Sequence, residues 1–164
     1  MNPIKYLKKK GFKRAIKVIW QYKIDILFQM LLKILCKNRS LLNCIVIESH
    51  NDFDSNGGAF YDYLIDKNLN EQYRIIWLLR NKAPKHLPKN VQCFNIYTPS
   101  IRKDYYIVNS KFILTCQDSI GIFREGQRAY YLTHGAMALK NTKGNISVPK
   151  TISYILAPSE YLLP

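Results

Sequence analysis

The chain has 164 residues, 48% apolar and 13% aromatic, enough for one domain with a true core and too aromatic for a disordered chain. Its formal net charge of +14 is uneven: residues 1–39 hold nine Lys, two Arg and the lone acid Asp25, hence +10, and the remainder holds only +4. Such asymmetry points to an anionic partner, a membrane surface or a nucleic acid. Four Cys without CxxC spacing and three His give neither a disulfide framework nor a zinc or His-rich metal centre. Cys44 and Cys93 read as small buried hydrophobes, which fits a reducing compartment.

Residues 3–37 read as a helix. Ile16, Ile19, Trp20, Leu27, Met30, Leu31 and Ile34 recur at three- and four-residue spacing and share a face. Lys9, Lys10, Lys13, Arg14 and Lys17 supply a basic cluster, and Lys23 interrupts the stripe. A basic amphipathic helix of this kind lies in the headgroup region of an anionic membrane; Trp20 and the basic cluster are its candidate contacts. The plainer alternative packs the stripe on the domain and leaves the lysines in water. The run Ile24–Cys36 is broken by Asp25, Gln29 and Lys33, so it makes no membrane span, and no secretory signal is legible. The expected location is the cytoplasmic side, peripheral to the membrane.

After the polar break Asn38–Ser40, short β-rich runs alternate with helices. Strands are expected at 43–48, 73–79, 91–96, 111–115, 129–133 and 151–156, with helices at 58–67 and 100–109. The alternation implies an α/β domain over 40–164, with a Rossmann-like parallel sheet covered on both faces, preceded by the arm 1–39. Ligands of such sheets bind beyond the carboxyl ends of the strands. The residues there are Glu48–Ser49–His50, Thr115–Cys116–Gln117–Asp118 and His134–Gly135. An imidazole at a strand end suits a general base, and Lys140 suits a phosphate; a structural His capping a turn is the alternative. Asn51–Gly58 ends at a helix start, where Asn56, Gly57 and Gly58 present backbone N–H groups to an anion, or where an Asn or Ser merely caps the helix. Glu48 orients a partner or serves as a structural carboxylate, and Asp118 lines the same edge or caps a helix.

The segment Thr133-His134-Gly135-Ala136-Met137-Ala138-Leu139-Lys140 resembles the Trp-His-Gly-Thr-Pro-Leu-Lys motif of the CDP-glycerol glycerophosphotransferase family, with one extra residue between Gly and Leu. Thr133 stands where the family has Trp, and the Thr-Pro pair is absent. Ile45–Ser49 resembles the family's first strand, Asp54–Gly58 with Tyr61–Leu64 its loop and first helix, and Tyr73–Trp77 its second strand. Tyr105-Tyr106 through Lys111–Thr115 resembles the helix and strand before the motif. The similarity runs over residues 43–164.

The resemblance implies the N-terminal half of a GT-B fold. It implies transfer of glycerol phosphate from CDP-glycerol to a hydroxyl of a lipid-linked acceptor of teichoic-acid or capsule type, with release of CMP and no cofactor. His134 would be the base, with Glu48, Ser49, Asn56, Gly57, Asp118, Gly135 and Lys140 around the substrate. CDP-glycerol would be held by a C-terminal domain that these residues do not supply, so the chain alone is expected to be inactive. Two readings compete. One is a nucleic-acid- or membrane-binding basic module, though the apolar stripe speaks against nucleic acid. The other is a GT-B glycosyltransferase fragment using another nucleotide sugar.

Overall fold

A computed structural model of the chain describes residues 12–49, 51–116, 120–132 and 151–156. The element order is α1 (Phe12–Leu35), β1 (Leu42–Glu48), α2 (Ser55–Asp66), a 3-10 turn (Leu69–Glu71), β2 (Arg74–Leu79), β3 (Val91–Asn95), α3 (Ile101–Asn109), β4 (Ser110–Thr115), β5 (Arg128–Leu132) and β6 (Tyr154–Leu156). The sheet order is β3-β2-β1-β4-β5-β6, and every pairing is parallel. This is the Rossmann order, which reverses between β1 and β4.

The expected strands all form, most within a residue or two of their expected bounds. β6 is shorter, three residues in place of six. The central strands are apolar and β-branched because both of their faces are covered. Ile45, Ile47, Ile75 and Trp77 face α2, where they pack with Tyr61 and Leu64. Cys44, Val46, Ile76, Leu78 and Ile113 face α3, where they meet Tyr106 and Ile107.

Helix α2 begins three residues earlier than expected. Asp54 caps it by accepting from the Ser55 N–H at 2.6 Å, where the sequence suggested Asn or Ser. Gly57 and Gly58 are therefore helical and buried. A Cβ at Gly57 would stand 2.8 Å from Ser49 Cβ, and one at Gly58 would stand 2.7 Å from the Phe53 backbone. Close packing of α2 on the end of β1 explains both glycines.

Helix α1 docks on α3 through an unexpected face. Leu32 and Cys36 pack against Val108, and Lys103 Nζ pairs with Asp25 Oδ2 at 2.7 Å. Arg124 holds the far end, donating to the main-chain oxygens of Lys37 and Arg39 and to Asn109 Oδ1; this satisfies carbonyls left orphaned past a helix end. Of the predicted stripe, Trp20, Leu27, Met30, Leu31 and Ile34 are turned away from α3, 49–72% exposed. Among the described residues, no helix is long and apolar enough to cross a membrane.

Candidate functional site

The strand order reverses between β1 and β4, and ligands of such sheets bind at the carboxyl ends there. In register, Glu48 stands beside Thr115 and Thr115 beside Tyr131, so three strand ends finish level. Glu48 is 1% exposed. Its Oε2 accepts from Thr115 Oγ1 at 2.9 Å, and its Oε1 meets Arg80 Nη2 at 3.3 Å. A buried carboxylate is tolerated only when so paired. Glu48 thus ties together β1, β4 and the residue that follows β2.

Arg80 was not singled out by sequence. It directly follows β2, and its Nη1 donates to Tyr97 Oη at 2.8 Å. Its backbone is fixed as well: Asp52 accepts from the Arg80 and Asn81 N–H groups at 2.8 Å each, and the Arg80 carbonyl accepts from Asn95 Nδ2 at 3.3 Å. The charge that closes the apolar run IIWLLR was the available signal. Its partner Glu48 lies 32 positions away, beyond any local pattern.

On the opposite sheet face, Ser49 Oγ donates to the Asp54 carbonyl at 3.0 Å. The Cys116 thiol lies against Ser49 and the Gly57 N–H; burial raises its pKa more than those two hydrogen bonds lower it. Burial likewise pushes Cys44 up to about 12. Buried thiols of this kind are unreactive. All four cysteines are free, and no cluster of metal-ligating side chains occurs among the described residues.

The loop between β1 and α2 is strained. Phe53 and Ser55 adopt φ of 54° and 62°, which is costly for residues other than glycine. The Phe53 ring offsets this by packing 4.7 Å from Trp77 and 5.3 Å from Tyr61, centroid to centroid. Strain held at a strand-order reversal is a mark of functional loops.

The structure therefore brings Glu48, Ser49 and Gly57 together at one edge, with Asn56 exposed on the first turn of α2. His134, Gly135, Lys140 and Asp118 lie outside the described residues, as do Lys9 and Lys10. Position alone sets His134 two residues beyond the end of β5. Lys13, Arg14 and Lys17 lie on α1, and Trp20 is 66% exposed. His86 sits in an exposed loop.

No protein-family profile matches the chain, and no curated protein sequence matches it significantly. Solved structures do. A histidine-to-asparagine variant of the wall teichoic acid polymerase TagF aligns with a TM-score of 0.59 and 16% identity, over 92% of this chain and 42% of that one. A TagF variant of the same kind soaked with CDPG gives 0.53 and 15%, over 76% and 33%. A third TagF structure gives 0.52 and 15%, over 77% and 32%. The chain thus spans about a third to two-fifths of the length of these polymerases. The likeness lies in the fold: an α/β domain with an all-parallel Rossmann-like sheet, shared with a teichoic acid polymerase of the kind the His134 segment resembles.

Proposed function

We propose that this chain is the acceptor-facing portion of a glycerophosphotransferase. It would work with a donor-binding portion that holds CDP-glycerol, and it would present the hydroxyl of a lipid-linked acceptor. The observation that carries the reading is the place of the His134 segment. In the chain it comes straight after Leu132, the last residue of β5, and the sheet has a fold like that of TagF.

In this reading His134 removes the acceptor proton as that oxygen attacks phosphorus, and CMP leaves. Lys140 and Gly135 lie beside the transferred phosphate. Asn56 and Asp118 would reach the substrate, with Ser49 and Gly57 packed behind them at the same strand end, and Glu48 keeps Arg80 and Thr115 in place. Positioning and charge supply most of the rate. The test is CMP release from CDP-glycerol by the protein that carries this chain, with a lipid-linked acceptor present. His134→Ala is expected to lower kcat about 100-fold or more and to leave CDP-glycerol binding intact. Unchanged turnover in that variant sinks the assignment of His134.

The arm would hold the enzyme on the cytoplasmic surface of an anionic membrane. Trp20, Leu27, Met30, Leu31 and Ile34 form an exposed apolar face on α1, and Lys9, Lys10, Lys13, Arg14 and Lys17 would meet the headgroups. The exposed apolar face favours this over binding to nucleic acid, which needs only the charges. Vesicles rich in phosphatidylglycerol should bind the full chain. Salt should weaken that binding without abolishing it, because the hydrophobic contribution remains. Leu31→Glu should lower it about tenfold or more, given roughly 1.5–3 kcal/mol for burying one Leu. Complete loss in moderate salt would point to charge alone.

A further inference from the structure

The contact between α1 and α3 contains an incomplete hydrogen-bond set. Lys103 is 2% exposed and Asp104 fully buried. The Lys103 ammonium spends its three protons on Asp25 Oδ2 at 2.7 Å, the Thr98 carbonyl at 2.9 Å and the Ile96 carbonyl at 3.3 Å. Gln29 Nε2 donates to Asp104 Oδ1 at 2.8 Å. Asp25 Oδ1 and Asp104 Oδ2 remain, both buried and both without a partner. The two carboxyl groups are neighbours: Asp25 and Gln29, one turn apart on α1, meet the adjacent Lys103 and Asp104 on α3, and two bare carboxylate oxygens cannot bond each other. One proton held between them satisfies both. It also makes the cluster neutral: one carboxylate, one ammonium and one carboxylic acid.

We propose that α1 is fastened to α3 by a single proton shared between Asp25 Oδ1 and Asp104 Oδ2, and that loss of this proton frees the part of α1 before Leu32. The charged group facing the pair is Lys103 from α3, with Gln29 of α1 as the neutral donor. The loop after β3 contributes only the carbonyls of Ile96 and Thr98, and the apolar Leu78 and Ile120 line a small cavity beside Asp25, Gln29 and Lys103. The end of α1 stays attached through Leu32 and Cys36 on Val108 and through Arg124, so it acts as the pivot.

Burial is the largest cause that pushes Asp104 up, to about 7 from an ordinary 3.8. The sign follows from linkage. At pH below about 4 the attached and freed forms both carry the proton, and fastening is complete. Between about 4 and about 7 only the attached form keeps it, so attachment weakens about tenfold per pH unit. Above about 7 neither form holds it, and no further loss occurs.

The test is amide hydrogen exchange on the full chain from pH 5 to 8.5, corrected for the intrinsic pH dependence of exchange, with the Asp104 carboxyl carbon followed by NMR. Protection of α1 between Lys23 and Leu31 should fall as pH rises and level off near neutrality, in step with Asp104, while β1 and β4 stay protected. Asp104→Asn keeps an acceptor for Gln29 and places an N–H donor opposite Asp25 Oδ1, mimicking the protonated acid. It should stay attached at every pH. Folding of that variant is checked by the unchanged protection of β1 and β4. Asp104→Leu removes the acid without supplying a donor; it should lose the pH dependence and leave α1 less protected than in Asp104→Asn. Protection independent of pH in the parent, or the same pH dependence in Asp104→Asn, overturns the proposal.

Discussion

Replacing Lys103 by Met should destabilise the protein by about 3–5 kcal/mol, the cost of removing one partner from a buried ion pair. The ammonium supplies three hydrogen bonds, to Asp25, Ile96 and Thr98, and the thioether of Met supplies none. Asp25 then keeps a charge that is mostly buried, and Asp104 beside it loses its nearest positive neighbour. For a chain of this length the melting temperature should fall by roughly 10 °C. The double variant Lys103→Met, Asp25→Leu separates causes. Replacing both charges by apolar groups of similar volume is often neutral or better, so the double variant should regain most of the loss. If it is no better than the single variant, the carbonyls of Ile96 and Thr98 carry the cost and the ion pair does not.

This cluster also marks where the sequence becomes illegible. In α3, the dipeptide Lys103-Asp104 has the look of a solvated helix surface. It is buried because α1, from 75 or more positions away, covers it with Asp25 and Gln29. The stripe on α1 misled in the complementary way. Periodicity located an apolar face correctly, but periodicity carries no information about which face meets the domain. Polar Asp25 and Gln29 face inward because Lys103 and Asp104 await them there.

The sheet was legible for the opposite reason. A strand buried on both faces has to be almost continuously apolar, and CIVIE, RIIWLL and KFILT have that property locally. Strand ends then located Glu48, Ser49, Thr115 and Cys116, since in a parallel sheet all carboxyl ends fall on one edge. The start of α2 was read too late because Gly57 and Gly58 suggest a loop. They are helical, and glycine is required by contact with Ser49 and Phe53, which only the folded chain brings near.

Trp77→Ala tests whether the strained loop depends on the layer beneath it. Trp77 is fully buried, with Phe53 at 4.7 Å and Tyr61 at 5.8 Å between ring centroids, and it lies under Gly57. Truncating a buried Trp costs about 3–5 kcal/mol through lost transfer energy and the cavity left behind. The loss should be uneven. Phe53 is held at positive φ by its packing against this ring, so loop 51–55 should exchange amide protons before the sheet does. Asp52 then loosens its hold on the Arg80 and Asn81 N–H groups, and the Arg80–Glu48 pair loses its anchorage. Trp77→Phe should behave differently. The indole N–H is buried without a partner, a standing cost of about 1–3 kcal/mol. Phe removes that cost while creating a smaller void, so the two effects nearly cancel, to within about 1.5 kcal/mol. A Phe variant as unstable as the Ala variant would mean that the indole N–H has a partner after all. An Ala variant with full protection at 51–55 would mean that the loop is held by Asp52 and Asp54 alone, and the aromatic layer would then serve stability and have no part in shaping the loop.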